Sequence, residues 1–364
     1  MFVFTEGNHK NHAGFANSYE TADRLNYIQF MLHNEPLFDK KKLVFAKDSE
    51  FDISQMSKIL GLDIQSISDK IIERYDSKNS WFCYHCTFEN SLTDSLCTIC
   101  QLKPRGTPKI IGNNGDTTYL SYFSGRSIVS TINTIIKSID FCFEHKTDGF
   151  LLIRPPGHHS TMIFEQPKQE IILESASSHN ASDDINIAPL KCIDLQCAGF
   201  CVINNIWIGA HYLRHKKFAK KIAIVDFDVH RGDGTQKMFY NSQDTLIVDI
   251  HQDNIYPKLD LASSVVPEHI INIPLKKGSD ETAYLEVFDT IVLPKLRAFN
   301  PDVILVATGF DAHVSDPLGG MNLQSKSYGL FRNKLKSLDK QMIFFLEGGY
   351  DYVSSYQSMI EMIL

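Results

Sequence analysis

The stretch IVDFDVHRGDGT, residues 224–235, runs from an apolar, β-branched segment straight into Asp226, Asp228, His230 and Asp233. Carboxylates crowded at the end of an apolar strand are unfavourable unless a positive charge sits among them. Three further apolar runs end in comparable residues. FLLI (150–153) leads into RPPGHHS with His158 and His159, VILVAT (303–308) into GFDAHVSDPLGG with Asp311, and MIFFLE (342–347) into GGYDY with Tyr350. Asp228, His230 and Asp311 make a set of N and O ligands from two segments with a fourth position open, the pattern of a catalytic zinc rather than a closed structural site. An ion there would activate a water and polarise a substrate carbonyl. His158 and His159 would take the water's proton and return it to the leaving group. Asp226 and Asp233 are placed to accept N–H bonds from that pair and fix its tautomer. Tyr350, after two glycines, would donate its O–H to the oxyanion. Taken singly, each of these is a turn residue or a cap; their joint occurrence at four strand ends carries the chemistry.

A second ligand set lies in WFCYHCTFENSLTDSLCTIC. Of eight cysteines, Cys83, Cys86, Cys97 and Cys100 form two CxxC pairs, the spacing of a tetrahedral structural zinc held by four thiolates. So short a module has no core of its own, and the metal would supply its folding energy. Trp81 would pack on the cage and Asn90 would tie the loop. Cys142, Cys192, Cys197 and Cys201 lack metal-site spacing and are expected to be buried or incidental thiols.

The elements that must position the first set follow from the same runs. FLLI, IAIVDF (222–227), TLIVDI (245–250), HIINI (269–273), VILVAT and MIFFLE are near-continuous apolar strands. Amphipathic stretches of helical length separate several of them, at 127–140, 204–218, 281–298 and 324–338. This predicts an α/β fold, a mainly parallel sheet sandwiched by helices, in which ligands sit beyond the carboxyl ends of the strands. Residues 79–105 interrupt that rhythm as a small inserted four-cysteine finger. They divide the chain into an N-terminal part (1–78) and a catalytic core (106–364). Residues 162–197, rich in Ser, Asn, Asp and Glu, are expected to be a flexible insertion.

The chain of 364 residues carries a net charge of −7, which argues against a nucleic-acid grip over its whole surface. MFVFTEGNHK lacks a charged start and a long apolar run, so no secretory signal is expected, and no apolar run reaches the length of a membrane span. An intracellular setting with reduced thiols is expected, in nucleus or cytoplasm. RHKKFAKK (214–221) is better taken as the polar end of a helix than as a targeting signal.

RPPGHH, GFCVINN (199–205), DFDVHRGDGTQ (226–236), GFDAHVSDPLGG and LEGGY resemble, in order, the motifs of zinc-dependent histone deacetylases, above all the class II type. The resemblance covers most of residues 110–364 and extends weakly to Arg24, where the family has an Arg near the acetate exit. It implies the arginase/deacetylase fold and hydrolysis of N-acetyl-lysine in an acetylated protein or peptide. It assigns Asp228, His230 and Asp311 to the catalytic zinc, His159 to general base and acid, His158 to its electrostatic partner and Tyr350 to the carbonyl clamp. Phe200 and Tyr256 would flank the tunnel for the lysine stem. Leu318 stands where polyamine deacetylases of the family place an acidic gatekeeper. A structural K+ is implied at Asp226, Asp228 and His230, with the region of Asp249 and Ile250. Three positions depart from the pattern: Arg231 replaces the usual His, Asp233 the class II Asn, and Asp249 the usual Ser. A catalytically inactive scaffold and a polyamine deacetylase are the alternatives.

The cysteine module resembles the NZF, or Ran-binding-protein-type, finger. Thr87, Phe88 and Ile99 match the residues with which its ubiquitin-binding members meet ubiquitin. Ubiquitin is the implied partner, with a purely structural role and RNA binding as the other readings. With no Arg between its cysteines, no direct nucleic-acid contact is expected.

Overall fold

The computed structural model describes residues 1–5, 9, 12, 18–45, 52–76, 80–82, 89–91, 109–112, 116–121, 124–165, 189–258 and 266–364, giving only the backbone of 75–76, 80–82 and 89–91. Eight parallel strands form the central sheet: β1 (Phe2–Thr5), β2 (Leu43–Phe45), β3 (Gly149–Leu152), β4 (Ile222–Asp226), β5 (Thr245–Gln252), β6 (Ile270–Leu275), β7 (Val303–Thr308) and β8 (Gln341–Leu346). Their order across the sheet is β6-β5-β4-β7-β8-β3-β1-β2. The six strands expected from sequence are β3 to β8. The two at the amino-terminal edge, β1 and β2, were not legible, being short runs of three or four residues.

Alternation along each strand feeds two cores. Ile222 and Ile224 of β4, with Ile343 and Phe345 of β8, pack into one layer, against Ile128, Ile132 and Ile135 of helix Ser124–His145 and Ile206 and Leu213 of helix Asn205–His215. Ala223 and Val225 of β4, with Phe344 of β8, face the other way. They meet Leu25 and Ile28 of helix Asp23–Asn34, Phe331 of Ser325–Lys336 and Met359 of Tyr352–Ile363. Burial on both faces is why these strands read as unbroken apolar runs. Each fully buried Ile, Phe or Leu contributes about 1.5–3 kcal/mol by leaving water, so the sheet is a rigid platform for what lies at its ends.

The expected flexible insertion at 162–197 needs correction at both ends. Thr161–Phe164 and Leu190–Gln196 are strands paired antiparallel, with a register shift between Cys192 and Asp194. Met162, Cys192 and Leu195 sit in the core, and that apolar anchoring outweighs the polar composition between them. Residues 166–188 lie outside the described residues. So do Cys83, Cys86, Cys97, Cys100, Thr87, Phe88 and Ile99; beside them, Ser80–Phe82 pairs antiparallel with Glu89–Ser91. The other four cysteines are free and buried.

Candidate metal centre and active site

In a parallel sheet all carboxyl ends lie on one rim, so the residues following β3, β4, β7 and β8 converge. Asp228 and His230 follow β4, and Asp311 follows β7, its neighbour in the sheet. Backbone N–H groups hold both acids in place. Asp228 Oδ1 accepts from His230 N (2.9 Å) and Oδ2 from Gly348 N (2.7 Å), while Asp311 Oδ1 accepts from Val229 N (3.0 Å). One imidazole faces both acids: His230 Nδ1 is 3.2 Å from Asp228 Oδ1, the oxygen that also accepts from its own backbone N–H, and 3.2 Å from the second oxygen of Asp311, Oδ2. All three donor atoms lie within 4.8 Å of one another. Ligand distances of about 2.0–2.2 Å in a tetrahedral zinc site imply edges of about 3.3 Å, so this donor set fits the ion. Electrostatics agree. Burial works against a charged His230, yet its hydrogen bonds to Asp228 and Asp311 lift the ring to about 10, so two buried carboxylates demand a cation between them.

The turn after β8 depends on its glycines. A Cβ on Gly348 would lie 1.9 Å from Asp311 Oδ2, and Gly349 has φ +118°, a left-handed conformation suited to glycine. That turn delivers Tyr350, whose backbone N–H donates to Asp316 Oδ2 at 2.6 Å. Burial keeps the phenol protonated well beyond its ordinary range.

The histidine pair follows β3. His158 Nδ1 is 3.1 Å from Asp226 Oδ2 and His159 Nδ1 is 2.9 Å from Asp233 Oδ1, with ring centroids 4.1 Å apart. Their titration diverges. Burial opposes charge on His158, but the carboxylates of Asp228 and Asp226 outweigh it and hold the ring well above its usual range. Burial and then the neighbouring His158 charge push His159 down to about 4, against the pull of Asp233.

His158, His159, His230 and Tyr350 open onto a cavity of about 280 Å³ walled by Phe200, Tyr256 and Leu318. Phe200 stands 5.6 Å from Tyr350 and Tyr256 stands 4.9 Å from His159, ring centre to ring centre. Every residue singled out for the catalytic site therefore reaches one place.

Four residues were missed or undervalued from sequence. Asp116 Oδ1 accepts from Thr118 N and Oγ1, while Oδ2 accepts from Gly199 N (2.9 Å) and Tyr256 Oη (3.3 Å); it fastens two walls of the cavity together. Its Asp-x-Thr turn was the available signal. Asp316 ties Leu318 N to the Tyr350 turn. Glu347, fully buried and pushed up to about 7 by burial, accepts from Gly157 N and His158 N. Arg24 donates to the carbonyls of Gly349 and Glu347 and lies 4.7 Å over the Tyr350 ring. A second cluster, His158, Cys201 and Glu347, has metal-like spacing. Burial, however, drives the Cys201 thiol well above its ordinary pKa, and the ligating form is the thiolate.

Residues 191–364 match the histone deacetylase domain. A similar curated protein is histone deacetylase 14, chloroplastic, of Arabidopsis thaliana, 34% identical over 222 residues that cover 58% of this chain and 45% of that one. The chain spans about half the length of the curated relatives it matches. Among solved structures, the HDA15 HD domain has a TM-score of 0.70 at 22% identity, covering 100% of this chain and 90% of that one. An acetylpolyamine aminohydrolase from Burkholderia pseudomallei has a TM-score of 0.66 at 18% identity, covering 100% and 97%. The domain match and the relative support the histone deacetylase family for this chain, and the two solved structures show its fold to be the arginase/deacetylase one.

Proposed function

We propose that the chain is a zinc-dependent amide hydrolase that removes the acetyl group from N-acetyl-lysine in proteins. The observation that carries this reading is the meeting of Asp228, His230 and Asp311, with His230 opening onto the cavity that also receives His158, His159 and Tyr350. A zinc ion held by those three would supply the Lewis acidity that polarises the acyl carbonyl and acidifies water. The chain's own residues do the rest. With Asp233 at Nδ1, His159 presents Nε2 as the atom that takes a proton from water. Its low basicity makes it a ready donor of that proton to the lysine amine as the C–N bond breaks. His158, kept charged by Asp226 and Asp228, favours negative charge developing on the substrate. The Tyr350 O–H donates to the carbonyl oxygen, and burial keeps that proton in place. Phe200 and Tyr256 flank the aliphatic lysine stem. Leu318, an apolar wall residue where an acid would attract a polyamine cation, favours acyl-lysine in a peptide.

The proposal extends to a structural zinc at Cys83, Cys86, Cys97 and Cys100, ubiquitin contact through Thr87, Phe88 and Ile99, and a potassium ion beside Asp226, Asp228 and His230 toward Asp249 and Ile250. These rest on residue types, spacing and resemblance. The test is acetate release from acetyl-lysine peptides and acetylpolyamines, with metal analysis of the same sample. Expected are turnover of the peptides, block by a hydroxamate, and about two zinc ions per chain. Turnover of acetylpolyamines alone would reassign the substrate. A folded, zinc-loaded chain that releases no acetate from either would overturn the enzymatic reading. Absence of chemical-shift change at Thr87, Phe88 or Ile99 on adding ubiquitin would remove that partner.

A further inference from the structure

A second cavity, of about 500 Å³, shares Ile255 and Tyr256 with the wall of the first. Its lining includes Arg231, His251, Gln252, Asp253 and Lys258. Two of its polar atoms, Arg231 Nε and Gln252 Oε1, are buried with no hydrogen-bond partner among the described residues. Among the described residues no carboxylate pairs with the Arg231 guanidinium. A buried donor left unsatisfied is unfavourable, and a guanidinium without a carboxylate partner beside a cavity is poised for one, which its planar fork binds through two parallel bonds. Other charges nearby do not cancel it. Asp253 is exposed and takes a 2.7 Å hydrogen bond from Asn254, His251 is turned by its Nδ1 to Asp249 Oδ1 at 2.7 Å, and Lys258 adds a positive charge. Arg231 follows directly on His230, so this cation stands at a fixed offset from the candidate metal centre.

We propose that this cavity is a subsite for an acidic side chain of the substrate, one or two residues along from the acyl-lysine, with Arg231 as its anchor. The inference rests on the lysine-deacetylase reading and names the peptide that site prefers. One extended residue spans about 3.3–3.6 Å, so a Glu next to a lysine whose stem enters beside Tyr256 is within reach of the cavity that shares Tyr256. A polyamine, being cationic, meets repulsion there instead.

The experiment compares three acetyl-lysine peptides that differ only at the flanking positions, Glu, Gln or Lys, with the full zinc-loaded chain. The expected order of kcat/KM is Glu above Gln above Lys, with the Glu:Gln ratio about 10 and carried by KM, as for a charge-assisted bond made equally in ground and transition states. Arg231→Gln should bring that ratio toward one, and Arg231→Lys should keep part of it. If Arg231→Gln does not fold, the native chain still decides: the ratio should shrink as salt rises from about 0.05 to 0.5 M. A ratio near one in the native chain, a ratio indifferent to salt, or one that survives Arg231→Gln overturns the subsite alone. No turnover of any of the three peptides overturns the deacetylase reading, and this inference with it.

Discussion

Asp311 gives one oxygen to the Val229 N–H and turns the other toward His230 Nδ1, so charge and geometry are both invested in it. Asp311→Asn keeps a similar shape but halves the carboxylate charge that the site can offer a cation. Bound zinc should drop from about two ions per chain to about one, and acetate release should fall by more than about 100-fold, beyond what loss of a ligand's supporting bond alone brings. Retention of both ions in Asp311→Asn would contradict the ligand assignment. Tyr350 makes a different kind of contribution. If it acts as proposed, Tyr350→Phe removes the donor to the acyl carbonyl, and kcat should fall by about 10²–10³ with KM and zinc content little changed. A change confined to KM would instead make Tyr350 a wall of the cavity. These residues were legible because their types are rare at strand ends and occur together. Asp316 and Glu347 were not, because their carboxylates engage backbone N–H groups, and nothing in residue type or spacing marks that use; Asp116 was marked only by its Asp-x-Thr turn.

At the scale of elements, the strand ends place chemistry and the loops shape access. The strands β3, β4, β5, β7 and β8 could be located from apolar runs because both faces are buried, and edge strand β6 from its apolar residues although it is only partly buried; β1 and β2, with three or four residues each, carried too little pattern. The antiparallel pair at 161–164 and 190–196 was obscured by the polar stretch between its strands. Asp116 shows what such loops do. It links the Thr118 turn, Gly199 beside Phe200, and Tyr256, while Thr118 Oγ1 accepts from Phe200 N at 2.8 Å. Both aromatic walls of the cavity therefore hang on one side chain. Asp116→Ala leaves Gly199 N and Thr118 N without this acceptor, at about 1–3 kcal/mol in stability. Because it touches no reacting atom, KM for acetyl-lysine peptides should rise more than kcat falls, and Asp116→Asn should restore part of the difference. An unchanged KM with a lowered melting temperature would reduce Asp116 to a structural role.

Across the whole molecule, a buried ionic cluster ties the amino-terminal segments to the site. Arg154, just past β3, donates to Glu20 Oε1 and Oε2 at 2.8 and 2.6 Å, to the carbonyls of His9 and His12, and to Tyr119 Oη at 2.9 Å. Glu20 also lies 3.5 Å from Arg24, the residue over the Tyr350 ring. None of this was legible in advance beyond Arg24, since its partners come from four distant stretches. Its titration has consequences for stability. Burial opposes charge on Glu20, but Arg154 wins and holds it at about 2, so its contribution is complete above pH 4.5 and fades as pH falls toward 2. His12, buried against Tyr119 with its Nε2 3.9 Å from Glu20 Oε2, is pushed down to about 3, first by burial and then by Arg154. The unfolded chain therefore binds a proton below pH 6.5 that the folded chain refuses, and stability is lost from pH 6.5 downward. Glu347 and Asp316 act oppositely: both are pushed up to about 7 by burial and so stabilise the fold more at low pH than at high. The net slope mixes these groups, but His12→Gln isolates one of them. The native chain's melting temperature minus that of His12→Gln should fall by about 1–2 °C per pH unit between pH 6.5 and 4. If that difference stays flat across the window, His12 is not held neutral by the cluster, and its place beside Arg154 has no bearing on acid stability.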